Sequence, residues 1–182
     1  MTKRLSIAAV AAGAVALAAG WALFRPELLF IDRTVNEDFP AAVVRPATNT
    51  RAETQVPSGA PMPETMPLVE AKALLSGTFR AGAHDGVGVA TIYELDAGRR
   101  MLRLTDFETS NGPDLRVLLV AAPEANDSDA VTKAGYTILA KLKGNRGDQN
   151  YELPADLDLE KHRTVCIWCH RFGVNFTSAP LR

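Results

Sequence analysis

The sequence predicts a single all-β domain, sandwich- or barrel-like, preceded by an N-terminal transmembrane helix and a Pro-rich linker. Three observations predict it. An uncharged apolar run over 5–24 follows Lys3 and Arg4. Six of the 11 prolines (Pro40, Pro46, Pro57, Pro61, Pro63 and Pro67) crowd into the stretch behind it. From 68 onward, short β-type runs alternate with Gly-, Asp- and Asn-rich breaks, the spacing of an antiparallel sandwich or barrel rather than of βαβ units. The chain has 182 residues, 47% apolar and 23% charged, which excludes collagen, an acidic disordered tail and a disulfide-dense mini-protein. With 20 basic against 21 acidic residues there is no net field to attract nucleic acid, and no such partner is expected.

The first element, 1–25, is read as a membrane anchor. Its run LSIAAVAAGAVALAAGWALF is 20 residues long, and as a helix it would extend about 30 Å, the thickness of a hydrocarbon core. Trp21 lies near its outer end, where an indole suits the headgroup zone. Lys3 and Arg4 favour a cytoplasmic N-terminus and send the rest of the chain into the periplasm or extracellular space. Ala16-Leu17-Ala18 also fits a signal-peptide cleavage site, but the apolar run continues past it through Trp21, Leu23 and Phe24. Both readings put the domain outside the cytoplasm.

The second element, 26–67, reads as an extended spacer. A short apolar cluster over 28–31 suits the membrane interface, and the prolines that follow are separated by Thr, Ala, Asn, Ser and Glu without an apolar period.

The third element, 68–182, holds the core, with 14 basic and 15 acidic residues. A short helix is expected over 68–75, leading into strands at 74–80, 87–95, 100–107, 115–122, 136–142, 151–153, 164–168 and 174–179. Alternation supports the strands: Leu102 and Leu104 face one way, Met101, Arg103 and Thr105 the other. The run over 115–120 is continuously apolar and reads as a central strand. The stretch 121–135, with Glu124, Asn126, Asp127, Ser128 and Asp129, reads as an exposed loop with one helical turn. Arg146-Gly147-Asp148, flanked by Gly144-Asn145 and Gln149-Asn150, reads as a turn rather than an adhesion motif.

The chemistry concentrates at Thr164-Val165-Cys166-Ile167-Trp168-Cys169-His170, which holds both cysteines. Cys-x-x-Cys-His is the pattern of covalent c-type haem attachment, with Cys166 and Cys169 as thioethers and His170 on iron. The surrounding β-branched and aromatic residues argue for a strand instead, in which the two thiols project from opposite faces, too far apart for one porphyrin edge or one disulfide. Haem is therefore the lesser alternative. On the strand reading Cys169 is a core thiol beside Val165 and Ile167, and Cys166 is the more reactive of the two. No βαβ context supports a thioredoxin-like dithiol. His84, His162 and His170 lack the spacing of a zinc module, so no metal is expected. Gly86-x-Gly88 lacks the rest of a dinucleotide fingerprint, and no nucleophile elbow, metalloprotease pair or P-loop is present: no catalytic constellation is recognisable.

Three segments in order resemble the DM-thirteen domain, the electron-transfer domain of Skeletor-type proteins. They are Gly77-Thr78-Phe79 with His84 and Gly88-Val89-Ala90; Asp106-Phe107 with Gly112-Pro113-Asp114-Leu115; and Gly144 with Tyr151-Glu152-Leu153-Pro154 and then Ile167-Trp168-Cys169, Phe172, Val174 and 176–181. The resemblance covers nearly all of 70–182. It implies a small β-rich extracytoplasmic domain with a redox or electron-transfer role centred on one cysteine, which by position is Cys169. Cys166 and His170 fall outside the family pattern. His84 is nominated as a distant second to Cys169. The competing reading is a non-catalytic module that binds a cell-envelope component. The redox or envelope partner is unassigned.

Overall fold

A computed structural model describes residues 2–24, 31–40 and 71–182. The expected cluster over 28–31, except Ile31, most of the prolines, and the start of the expected helix at 68–70 lie outside the described residues.

Helix α1 (Thr2–Phe24) forms where the apolar run lies. Among the described residues no helix is long and apolar enough to cross a membrane. The run is dominated by Ala, whose methyl group removes little apolar area from water.

The domain is a sandwich of two antiparallel sheets. One has the order β1-β3-β4-β7 and the other β2-β9-β8-β5-β6. The strands are β1 (Lys72–Thr78), β2 (Arg80–Ala81), β3 (Gly86–Glu94), β4 (Arg100–Thr109), β5 (Leu115–Val120), β6 (Tyr136–Lys141), β7 (Arg146–Glu152), β8 (Thr164–Cys169) and β9 (Val174–Pro180), with α2 (Ser128–Ala134) between β5 and β6. Leu102, Leu104, Val117, Leu119, Val165 and Ile167, all fully buried, fill the space between the sheets.

Strands β5 and β8 are buried on both faces, which explains their unbroken apolar sequence. Leu118, Val120, Cys166 and Trp168 point away from the main core into a second cluster under Ala125 and Val131. Here the sequence expectation needs correction. The 121–135 stretch is not merely an exposed loop: it carries the two-turn helix α2 and roofs the outer face of the sheet. The Asp127 side chain caps α2, accepting from the Ala130 N–H at 2.7 Å. Only Ala125 and Val131 of this segment are fully buried, too few to betray an amphipathic pattern.

Two further expectations fail. The helix forecast over 68–75 gives way to β1 from Lys72, because pairing with β3 sets Leu74 and Leu75 against the main core. Arg146-Gly147-Asp148 is no turn; it opens β7, with Gln149 and Tyr151 buried inward. Its polar outward residues bind the preceding segment of the chain. Residues 31–40, within the expected spacer, run parallel to β7 from the Thr34–Arg146 bridge. The Val35 and Glu37 N–H groups donate to the Arg146 and Asp148 carbonyls, both at 2.9 Å. Both Glu37 carboxylate oxygens accept from Lys143 Nζ at 2.8 Å, and Asp32 pairs with Arg146 at 3.0 Å. A Cβ at Gly144 would meet the Arg33 carbonyl, and one at Gly147 (φ +93°) the Val35 carbonyl, so these glycines let the strap lie flat.

Candidate functional site

The end of the sandwich where β8 finishes brings together the segments that carry the chemistry. Cys169 is the last residue of β8 and pairs with Leu115 of β5 on one side and Val174 of β9 on the other. Its thiol is fully buried in the main core, with no polar partner among the described residues. Phe176, 5% exposed, and Leu115, 8% exposed, belong to the same core cluster and cover it at this end. A Cβ on Gly112 would lie 2.8 Å from Leu115 Cδ2 and 3.0 Å from Phe176 Cζ, so glycine lets the 110–114 turn close over these side chains without displacing them. The Asp114 carbonyl accepts the His170 N–H at 2.9 Å, tying that turn to the β8–β9 hairpin. The hydrogen bond from Arg116 to the Asp114 carboxylate outweighs burial and holds its pKa below the ordinary range.

His84 reaches the same end. Its ring stacks on Phe176 with centroids 3.9 Å apart, and its backbone N–H donates to the Phe176 carbonyl at 3.0 Å. Phe176 in turn belongs to the core cluster that holds Cys169. A cleft of about 190 Å³ opens beside the cover, lined by Ile31, Arg33, Asn111, Asp114, Lys141 and Asn145 among others. The 142–145 turn along it is held by Gln149, which donates to and accepts from the Gly144 backbone at 2.9 and 3.2 Å, and by the Tyr151 hydroxyl. Burial raises the Tyr151 pKa, so that hydroxyl keeps its proton.

Cys166 belongs to a different environment. It lies in the outer cluster under α2, and its thiol donates to Asn175 Oδ1 at 3.2 Å. Asn175 in turn donates from Nδ2 to the Ala125 carbonyl at 3.1 Å and from its backbone N–H to Ser128 Oγ at 2.9 Å. Burial pushes the Cys166 thiol far above its ordinary range. Cys166 is as deeply buried as Cys169, because the 121–134 segment, expected to be an exposed loop, covers the outer face of β8. Asn175 was overlooked in the sequence, although an Asn inside the apolar β9 run was the available signal.

The opposite-face arrangement of the two cysteines holds. Strand β8 pairs with β5 in unbroken register, and the irregularity opposite Trp168 falls in β9, where Phe176 is the extra residue. Both thiols are free and wholly buried, while His170 is exposed. Covalent haem needs both thiols on one side with open space in front of them. Cys166, Cys169 and His170 do not fit that group. Among the described residues no cluster of three or more His, Cys, Asp or Glu side chains suits a metal ion.

The family model described as Electron transfer DM13 matches residues 78–181. The chain belongs to this family. The match takes in β2 to β9, and so His84, the Gly112–Leu115 turn, both cysteines and Phe176, but neither α1 nor the strap. No curated protein and no solved structure matches the chain.

Proposed function

We propose that this protein is a membrane-anchored, extracytoplasmic electron-transfer domain whose redox centre is Cys169. The observation that carries the reading is the convergence of His84, the Gly112–Leu115 turn and Phe176 over one buried thiol, within a DM13 domain. A pair of thiols would be needed for disulfide chemistry, and Cys166 faces the other way. Cys169 is then left with one-electron traffic, in which the thiol loses an electron to an external acceptor and its proton to a base. His84 is the titratable side chain stacked on its cover. Both departures require Phe176 and Leu115 to move, since a buried apolar thiol is otherwise inert.

Anchoring is supported by α1. Val15, Leu17 and Trp21 are 68, 78 and 61% exposed, so these apolar side chains find little cover among the described residues. Lys3 and Arg4 ahead of the run favour the domain's export.

Voltammetry of the full chain in detergent tests the redox reading. A wave present in the parent and in Cys166→Ser but absent from Cys169→Ser is the expected result. A wave that survives Cys169→Ser moves the centre elsewhere. Silence in all three, with intact folding, favours a binding module of the cell envelope.

A further inference from the structure

We infer that the Cys169 end of the sandwich docks on the lipid bilayer, with Ile31, Val87 and Phe172 entering the interface. The inference rests on the reading of α1 as a membrane anchor, and it adds the orientation of the domain and the surface it binds.

Three independent observations meet at this end. The first is exposure. Among the described residues of 31–40 and 71–182, only three large apolar side chains are more than half exposed: Ile31 at 58%, Val87 at 56% and Phe172 at 64%. All three lie at one end. Ile31 lines the cleft with Asp114, whose carbonyl accepts from His170 in the hairpin that carries Phe172. Val87 follows Gly86, which pairs with Thr109, and the Thr109 N–H donates to the Asn145 carbonyl in the wall of the same cleft.

The second is the direction of the strap. It enters at Ile31 beside that cleft and runs parallel to β7 toward Phe39, whose ring meets Tyr93 near the opposite end.

The third is reach. Seven peptide bonds join Phe24, the last residue of α1, to Ile31. Fully extended they cover about 25 Å. Strand β4, with 10 residues, is about 33 Å long. Were the far end against the membrane, Ile31 would stand beyond the reach of its own tether. The strap itself is fixed to the domain by backbone bonds and by the Lys143–Glu37 pair, so it cannot peel back to lengthen the tether without losing them.

The chemistry of the surface suits an interface. A phenyl ring and two aliphatic side chains bury apolar area among the headgroups. Asp32, Asp85 and Glu108 at the same end keep it from being a cationic patch, so binding draws on insertion more than on anionic lipid. Docking also brings the Phe176 and Leu115 cover of Cys169 to the lipid surface.

Spin labels on the full chain in vesicles of phosphatidylethanolamine and phosphatidylglycerol test this. Three single variants are compared, Val15→Cys in α1, Phe172→Cys at the docking end and Arg99→Cys at the far end, all at exposed positions and with the native thiols buried. Relaxation by oxygen reports immersion, and relaxation by a water-soluble nickel chelate reports solvent. The expected result is oxygen-dominated relaxation at Val15 and Phe172, with an oxygen-to-chelate ratio several-fold above that at Arg99. An immersed Val15 with Phe172 behaving like Arg99 overturns the docking and leaves the anchor standing. A solvent-exposed Val15 overturns the anchor, and the docking falls with it.

Discussion

The two faces of β8 carry one cysteine each, and they are dry for different reasons. Cys169, with Val165 and Ile167, faces the second sheet across a core made of apolar side chains from eight of the nine strands. Cys166, with Trp168, faces a roof of two helical turns held down by polar bonds. The Cys166–Asn175–Ala125 chain, the Asn175 bond to Ser128 and the Thr164 hydroxyl donating to the Ala122 carbonyl fasten that roof. Equal burial therefore hides unequal protection. Opening the inner face wide enough for an alkylating reagent means separating the sheets, which is global unfolding; the side-chain motion of Phe176 and Leu115 that an electron and a proton need is far smaller. Opening the outer face means lifting a short helix, a local event of lower free energy.

The largest effect should come from the inner face. Ile167→Ala leaves a cavity beside Cys169 and is expected to lower stability by about 2–5 kcal/mol in urea denaturation. Both thiols should then react together, at the rate of global unfolding. A loss well under 1 kcal/mol would mean that the inner face is not the main core.

On the outer face, Asn175→Ala removes the acceptor of the Cys166 thiol and the donor to Ala125. Stranded buried polar groups cost about 1–3 kcal/mol. The diagnostic reading is alkylation of the native protein, in which Cys166 becomes reactive while Cys169 stays protected. Equal protection of the two thiols in this variant would refute the local-opening picture.

Asp127→Ala is the milder version. Losing the cap of α2 costs about 1 kcal/mol, and the same preference for Cys166 should appear, weaker than with Asn175→Ala. Should this variant expose Cys169 instead, α2 would have to be part of the inner core.

How much of this was legible in the sequence follows from the same contrast. Period-two alternation revealed the inner core, because Leu102, Leu104, Val165 and Ile167 face one apolar surface and need no other information. It also separated the two cysteines, and the regular register of β8 against β5 agrees. The roof was hidden because its fastening is polar: Asp127, Ser128 and Asn175 look like solvated residues until their partners are known. The strap over 31–40 was hidden for the same reason. Its grip on β7 uses backbone groups, Asp32, Asn36 and Glu37, so composition alone gives the pattern of a spacer. At the candidate site, the Gly112–Leu115 turn, Cys169 and 176–181 were marked by family resemblance, whereas the stacking of His84 on Phe176 beneath that turn emerges only from the fold.

The smallest effect separates the faces by pH. Burial raises the Cys166 pKa in the folded protein above its ordinary value of 9.0. A raised folded pKa means that the folded state holds its proton after the unfolded chain has released it. The stabilisation is complete below pH 9 and is lost as pH rises above it, by less than about 1 kcal/mol at about pH 9.5. Tyr151 behaves likewise from its ordinary value of 10.0 and sets a background common to every variant that retains it. Urea denaturation of Cys166→Ala against the parent, repeated across pH 8 to 10, isolates the thiol. The variant starts less stable because Asn175 loses a partner, yet its stability should fall less steeply above pH 9. Parallel curves would mean that the Cys166 thiol ionises as readily in the folded protein as in the unfolded chain, and the roof over the outer face would then admit water.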